Sequence, residues 1–221
     1  MDASQDRLEP SSWWSPLVYA SLAGASVFYG AGRACVEACY SAGILEAKTL
    51  PVPVISVGNV TWGGTGKTPM VILLAEMVAE RGGKALVLSR GYGGDEDRML
   101  AAKLRGVAAV ASGTNRFAAA VRALASDQGK GVTCVILDDG LQHHRIKRDL
   151  HVVMVNCMSP WGSGALIPRG PLRVPLEEGI KMADLLVLHN GAAPASLAPL
   201  RTSRGLSLIF PQTSAHQLLI H

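Results

Sequence analysis

Short apolar runs and helical stretches alternate along the middle of the chain. A β-branched run at 52–57 gives way to a stretch at 68–81 in which Val71, Leu74, Ala75 and Val78 recur at helical spacing. Further apolar runs follow at 85–88, 132–137, 151–155, 184–189 and 206–210, and 118–124 has helical character. Apolar runs bounded by turn residues read as buried strands, and strands alternating with helices pair in parallel through crossover connections. The pattern predicts an α/β fold: a mostly parallel sheet with flanking helices, occupying 51–221. Ligands of such sheets sit beyond the carboxyl ends of the strands.

An apolar helix is expected ahead of this unit, within 1–50. No charged residue lies between Glu9 and Arg33, and the stretch 17–32 is apolar with many Ala, Ser and Gly residues. Ser15-Pro16 supplies a cap and a first-turn proline. The apolar stretch is shorter than the roughly 20 residues that span a bilayer. With Trp13 and Trp14 just before it, the helix either lies on a membrane surface or packs on the domain through Ala20 and Gly24. Asp2, Asp6 and Glu9 stand where a mitochondrial presequence avoids acid. At the other end, the tail after Phe210 has neither helical nor strand period.

Composition narrows the classes. With 48% hydrophobic and 17% charged residues and a mean hydropathy of +0.24, the chain is too apolar to be disordered. Its 21 Lys+Arg against 17 Asp+Glu give a net charge of +4, too small to argue for a nucleic-acid partner. The four cysteines are too scattered for a secreted disulfide framework, and Cys35 and Cys39 lack a second pair at zinc spacing.

The candidate chemistry falls at the expected strand ends. Gly63-Gly64-Thr65-Gly66-Lys67-Thr68 follows the first strand and opens the first helix. Glycines let a backbone wrap phosphates at the positive end of a helix, Lys67 can reach β/γ oxygens, and the Thr68 hydroxyl can ligate Mg²⁺. The loop is a variant, because Thr61 stands where the standard pattern has its first glycine. It makes the fold class a P-loop NTPase-type α/β sheet. Asp138 and Asp139 end another strand, where such proteins hold the carboxylate that positions Mg²⁺; two adjacent buried carboxylates without a cation repel each other. Gln142, His143, His144, Arg145, Lys147 and Arg148 follow, either facing phosphates or forming a solvated loop. Ser89-Arg90-Gly91-Tyr92-Gly93-Gly94 delivers Asp95 and Glu96 to the same side, Asp95 being the candidate general base for an acceptor hydroxyl. In the long loop 159–173, Arg169 and Arg173 can clamp phosphate oxygens. Gly162-Ser163-Gly164 lacks the third glycine of a dinucleotide fingerprint, since Ile167 takes its place. No Asn-Lys-x-Asp guanine reader is present, which weighs against a GTPase switch.

Taken in order, Val57-Gly58-Asn59, Gly63 to Pro69, Ser89-Arg90-Gly91-Tyr92, Gly94-Asp95-Glu96, Asp138-Asp139-Gly140-Leu141-Gln142-His143 and Pro168 to Arg173 resemble the tetraacyldisaccharide 4′-kinase (lipid A 4′-kinase) family, in a plant-like, organellar form. The likeness covers roughly 51–210. It implies a membrane-associated kinase that moves the γ-phosphate of ATP to the 4′-hydroxyl of a tetraacylated disaccharide 1-phosphate. Its partners are then ATP, the acylated disaccharide phosphate lipid and a membrane surface, and its location membrane-associated, in mitochondria in a eukaryote. It further implies Lys67 and Asp95 in catalysis and Gly63, Gly64, Thr65, Gly66, Lys67 and Thr68 on the nucleotide. Gln142, His143 and Arg173 then line its phosphate region, with Thr68, Asp138 and Asp139 at Mg²⁺. Two departures stand out. Where the family reads Leu-Arg-Glu-Pro, this chain has Leu172-Arg173-Val174-Pro175, and the family continues into a smaller C-terminal lobe. The rival expectation is a truncated, non-catalytic nucleotide-binding remnant of the family.

Overall fold

A computed structural model describes residues 15–91, 94–190, 207–211 and 218–220. Trp13, Trp14, Tyr92, Gly93, His216 and His221 lie outside the described residues, as does the side chain of Glu96. The strands are β1 (Val54–Asn59), β2 (Ala85–Ser89), β3 (Ala108–Ser112), β4 (Cys134–Asp138), β5 (Leu150–Asn156), β6 (Leu185–His189), β7 (Ser207–Pro211) and β8 (Leu218–Ile220). The helices are α1 (Ser15–Ser41), α2 (Lys67–Glu80), α3 (Gly94–Lys103), α4 (Arg116–Ala125) and α5 (Leu176–Lys181). The strand order is β3-β2-β4-β1-β5-β6-β7-β8, parallel until β8 pairs antiparallel with β7.

Strand residues alternate between two apolar layers. Ala85 and Val87 of β2 pack with Val71 and Ala75 of α2, whereas Leu86 and Leu88 pack with Ala120 and Ala123 of α4. Beside β5 and β6, Val153, Val155, Leu186 and Leu188 cover Ile180 of α5. A parallel strand covered on both faces reads as an unbroken apolar run, which is why these strands were legible in sequence. Each fully buried Leu or Val contributes about 1.5–3 kcal/mol. The register sets Val57 beside Asp138, so the carboxylate pair ends β4 next to the exit of β1.

Helix α1 continues past Gly32 to Ser41. Arg33, the first charge after the apolar stretch, is held within it by Glu37 at 2.6 Å and by Glu178 of α5. One face of α1 docks on the domain. The Ser26 hydroxyl donates to the Leu166 carbonyl at 2.9 Å, and Gly30 lets Leu166 come close. The other face leaves Leu17, Val27 and Phe28 exposed, Phe28 at 82%. The docking runs through Ser26 and Gly30 rather than the expected Ala20 and Gly24: Ala20 is exposed, and a Cβ at Gly24 would meet nothing within 4 Å.

Four elements escaped the sequence pattern, among them the six-residue α5. Ala-rich β3 carries little β signal. Helix α3 starts inside what read as a glycine loop, and β8 falls in the tail, where three apolar residues pair along the sheet edge.

Candidate active site

Residues 63–66 lead from β1 into the fourteen-residue α2. Gly66 adopts φ +71°, a left-handed conformation that costs a residue with a Cβ. A Cβ there would also meet the His189 ring at 3.4 Å. No side chain caps the first turn of α2, so its amide groups and positive dipole end are presented to the cleft. Thr65 is 4% exposed, and its hydroxyl is buried without a hydrogen-bond partner.

These residues wall a cleft of about 800 Å³ together with Trp62, Lys67, Thr68, Arg90, Asp97, Asp138, Asp139 and Arg173. Lys67 Nζ donates to Asn59 Oδ1 at 2.8 Å and lies 3.9 Å from Asp139. Asp139 also takes Arg173 at 2.5 Å and Arg90 at 3.5 Å. Burial pushes the Asp139 carboxyl up, but Arg173, Lys67 and Arg90 together outweigh it and hold the group below its ordinary value. Asp139 adopts φ +53°, tolerated by Asp more readily than by most residues, which turns its carbonyl to Arg116 at 3.2 Å.

Arg173 reaches the cleft because its loop is zipped to the strand exit. Its amide donates to the Val60 carbonyl at 2.8 Å, and Trp62 donates to the Pro171 carbonyl at 2.6 Å. Its own carbonyl accepts from the Tyr29 hydroxyl at 2.8 Å and Gln142 Nε2 at 3.0 Å. Arg169 turns away to the Tyr19 ring on α1.

The cleft brings together Gly63, Gly64, Thr65, Gly66, Lys67, Thr68, Asp138, Asp139 and Arg173. Gln142 and His143 instead line a neighbouring pocket with Arg90 and Arg116. Burial and the cations Arg116, Arg148 and Arg90 press His143 down to about 4, so it is neutral at pH 7. Asp95 sits exposed in the first turn of α3, while Asp97 lines the cleft and accepts a hydrogen bond from the Ser89 hydroxyl. Val174 is 1% exposed among Val60, Leu141 and Ile180. The position where the resemblance implies a glutamate therefore belongs to the apolar core here. Sequence reasoning missed Asn59, Arg116 and Asp97. A polar residue ending an apolar run flags Asn59; nothing in the sequence flags Arg116 or Asp97. Among the described residues, no cluster of three His, Cys, Asp or Glu could hold a metal by itself, and no helix is long and apolar enough to cross a membrane.

A parallel sheet, a glycine loop opening a helix and cations gathered at the strand ends define a P-loop NTPase-type α/β fold. A profile of the tetraacyldisaccharide-1-P 4′-kinase family matches residues 18–217, taking in α1 as well as the sheet. The chain belongs to that family. It is 40% identical over 204 residues to the probable mitochondrial tetraacyldisaccharide 4′-kinase of Arabidopsis thaliana, covering 80% of this chain and 51% of that protein. The tetraacyldisaccharide 4′-kinase of Syntrophus aciditrophicus is 38% identical over 189 residues, covering 75% and 50%. The chain spans about half the length of the curated relatives it matches. The crystal structure of LpxK from Aquifex aeolicus in complex with ATP superposes with a TM-score of 0.70 at 30% identity, covering 87% of this chain and 64% of that one. The 54 kDa signal recognition particle protein of Aeropyrum pernix, at TM-score 0.52 and 14% identity, shares the fold alone.

Proposed function

We propose that this chain carries the nucleotide-binding and phosphoryl-transfer core of an ATP-dependent kinase. It transfers the γ-phosphate to the 4′-hydroxyl of a tetraacyldisaccharide 1-phosphate in lipid A biosynthesis. The observation that carries the reading is the convergence of Lys67, Arg90 and Arg173 on Asp139 beside a glycine loop whose buried Thr65 hydroxyl lacks a partner. Phosphate oxygens supply the acceptors that such a loop is built for, and three cations spread over one cleft suit a polyphosphate.

In this reading the loop amides and Lys67 hold the β- and γ-phosphates, and Arg173 and Arg90 move from Asp139 onto phosphate oxygens. Asp95 takes the proton of the acceptor hydroxyl; the hydroxyl oxygen bonds to the γ-phosphorus as the bridge to the β-phosphate breaks, and the electron pair leaves on ADP. Mg²⁺ fits the donor set, since Thr68 and Asp138 line the same cleft while Asp139 is already engaged by Arg173. One hydroxyl and one carboxylate leave room for phosphate oxygens and water, as this ion prefers. When bound, Mg²⁺ neutralises charge on the β- and γ-phosphates. The exposed face of α1, with Phe28 and Val27, rests on the membrane that carries the acceptor. The Arabidopsis relative's name supports a mitochondrial location for this chain too.

The test is transfer of labelled γ-phosphate from Mg-ATP to a tetraacyldisaccharide 1-phosphate in detergent. Labelled lipid that disappears in Lys67→Ala is expected; folded protein that yields none would make the chain a nucleotide-binding remnant. Flotation with vesicles checks the membrane contact, and unchanged binding by Phe28→Glu would refute it.

A further inference from the structure

The turn that follows β4 points three consecutive carbonyl groups at two arginines. Arg148 Nη1 donates to the Gly140 carbonyl at 2.9 Å and to the Leu141 carbonyl at 2.8 Å, and Arg116 Nη1 donates to the Asp139 carbonyl at 3.2 Å. The two guanidinium groups come from different elements. Arg116 opens α4 and is 3% exposed, whereas Arg148 stands two residues ahead of β5. The backbone that bears Arg148 is itself pinned. The Asp149 amide donates to the Val54 carbonyl at 2.9 Å, and the Asp149 carboxylate accepts from the Val54 amide at 2.8 Å, at the start of β1. The turn lies flat on the sheet. The Gly140 amide donates to the Val57 carbonyl at 2.9 Å, a Cβ on Gly140 would run into Ser56, and one on Gly58 would run into Leu141.

Stability does not account for Arg148. Burial pushes its pKa down to about 10, so it stays charged at pH 7, and no carboxylate pairs with it among the described residues. A cation withdrawn from water without a carboxylate partner costs more than an apolar side chain of the same length. The Gly140 and Leu141 carbonyls offset part of that cost, and both belong to the turn that carries Asp139. Asp139 adopts φ +53°, and its carboxylate is the point where Lys67, Arg90 and Arg173 meet. A residue with a Cβ keeps a left-handed conformation only where its surroundings over-determine it. Guanidinium groups on the carbonyls of residues 139, 140 and 141 supply that constraint.

We propose that Arg148 is a positioning residue for the nucleotide cleft: by holding the Gly140 and Leu141 carbonyls it fixes the turn at Asp139, and with it the place where Lys67, Arg90 and Arg173 gather. Arg148 lines neither the cleft nor the neighbouring pocket, so its action runs through the backbone of residues 139–141. A guanidinium nitrogen held in plane gives both bonds a fixed direction, which the rotatable ammonium of lysine does not. The inference rests on the nucleotide reading of the cleft.

The experiment is a double-mutant cycle, read by calorimetric titration of a non-hydrolysable ATP analogue with Mg²⁺ into the full chain. Arg148→Gln is expected to weaken analogue binding about tenfold, the worth of one charge-assisted hydrogen bond. In an Asp139→Asn background the same change is expected to matter less than about twofold, because the carboxylate that the turn aims is gone. Arg148→Lys keeps the charge and a donor, so its affinity is expected to fall between those of the parent and Arg148→Gln. It carries the cycle if Arg148→Gln does not fold. Asp149→Ala is the control for damage beside the turn, expected to lower the urea midpoint while leaving the affinity for the analogue unchanged. An equal loss in the two Asp139 backgrounds overturns the proposal, as does unchanged affinity in both Arg148 variants. A loss in Asp149→Ala as large as that in Arg148→Gln reduces Arg148 to general support of this region, and the proposal also falls. Failure of the nucleotide reading is seen separately, as unchanged affinity of Lys67→Ala for the analogue.

Discussion

Arg173 Nη1 lies 2.5 Å from Asp139 Oδ1, across 34 residues of sequence, and both side chains are largely buried at the head of the cleft. The loop that bears Arg173 is fixed to Val60 just beyond β1. Asp139 therefore gathers Arg173, Lys67 and Arg90 at one point of the cleft.

Arg173→Ala is expected to lower stability by about 1–2 kcal/mol at pH 7, less than full disruption of a buried pair because Lys67 and Arg90 remain. The Asp139 carboxyl is depressed in the fold, so its contribution is fully present above the unfolded carboxylate range and is lost as pH falls through the folded value. Urea denaturation between pH 7 and 3 should show a shallower acid loss in the variant. ATP affinity should fall about tenfold, as expected for one charge-assisted contact. An unchanged acid profile would remove Asp139 as the partner that matters.

Tyr29 ties α1 to the same loop, donating to the Arg173 carbonyl at 2.8 Å and accepting from Gln142 Nε2 at 2.9 Å. Tyr29→Phe deletes both bonds without changing the ring. Each such bond is worth about 1 kcal/mol, so the KM for ATP is expected to rise roughly fivefold while kcat holds. A loss confined to lipid binding would instead make Tyr29 part of the acceptor surface.

Burial, with Arg148 nearby, presses His151 down to about 4, and His143 is held at about the same value. Both stay neutral in the fold while the unfolded chain takes up protons below about 6.5. Stability should therefore fall as pH drops from about 6.5 to about 4, and His151→Asn should flatten part of that slope. Equal slopes in a pH series of thermal melts would deny His151 that role.

The glycine loop, the carboxylate pair and the buried strands were legible because each depends on local sequence: φ freedom, strand-end position and apolar runs. Arg116 was not, since its role depends on the left-handed turn at Asp139 directing a carbonyl to it. Gln142 and His143 were legible as phosphate-side residues, but not which cavity they line, because that follows from where α1 and α4 pack. The face that α1 presents to the domain is set by partners such as Arg173 and Leu166, over a hundred residues away.

Asp95 and Asp97 stand two apart on α3, a spacing that sends side chains to different faces. Asp95 is exposed to solvent, whereas Asp97 is tied to Ser89 in the cleft wall. Asp95→Asn is expected to cut transfer by about 10²–10⁴-fold with ATP affinity intact. Asp97→Asn should keep transfer within about tenfold, since it removes a charge from a hydrogen bond rather than the base. The opposite ranking in single-turnover transfer assays would assign the base to Asp97.

Val174 separates two accounts of the loop after Arg173. If the glutamate of the family pattern belonged at the metal in this chain, Val174→Glu should raise Mg²⁺ affinity. The side chain instead packs at 1% exposure among Val60, Leu141 and Ile180, and its methyl group lies close to Gly179 of α5. A carboxylate there loses water without gaining a cation, at a cost of several kcal/mol that the group escapes only by taking up a proton or forcing α5 away. Val174→Glu is therefore expected to lose about 2–4 kcal/mol of stability at pH 7, with partial recovery at acid pH as the carboxyl is neutralised. Mg²⁺ affinity measured on the remaining folded protein should not rise. A variant as stable as the parent with tighter Mg²⁺ binding would show that the loop can turn this position into the cleft.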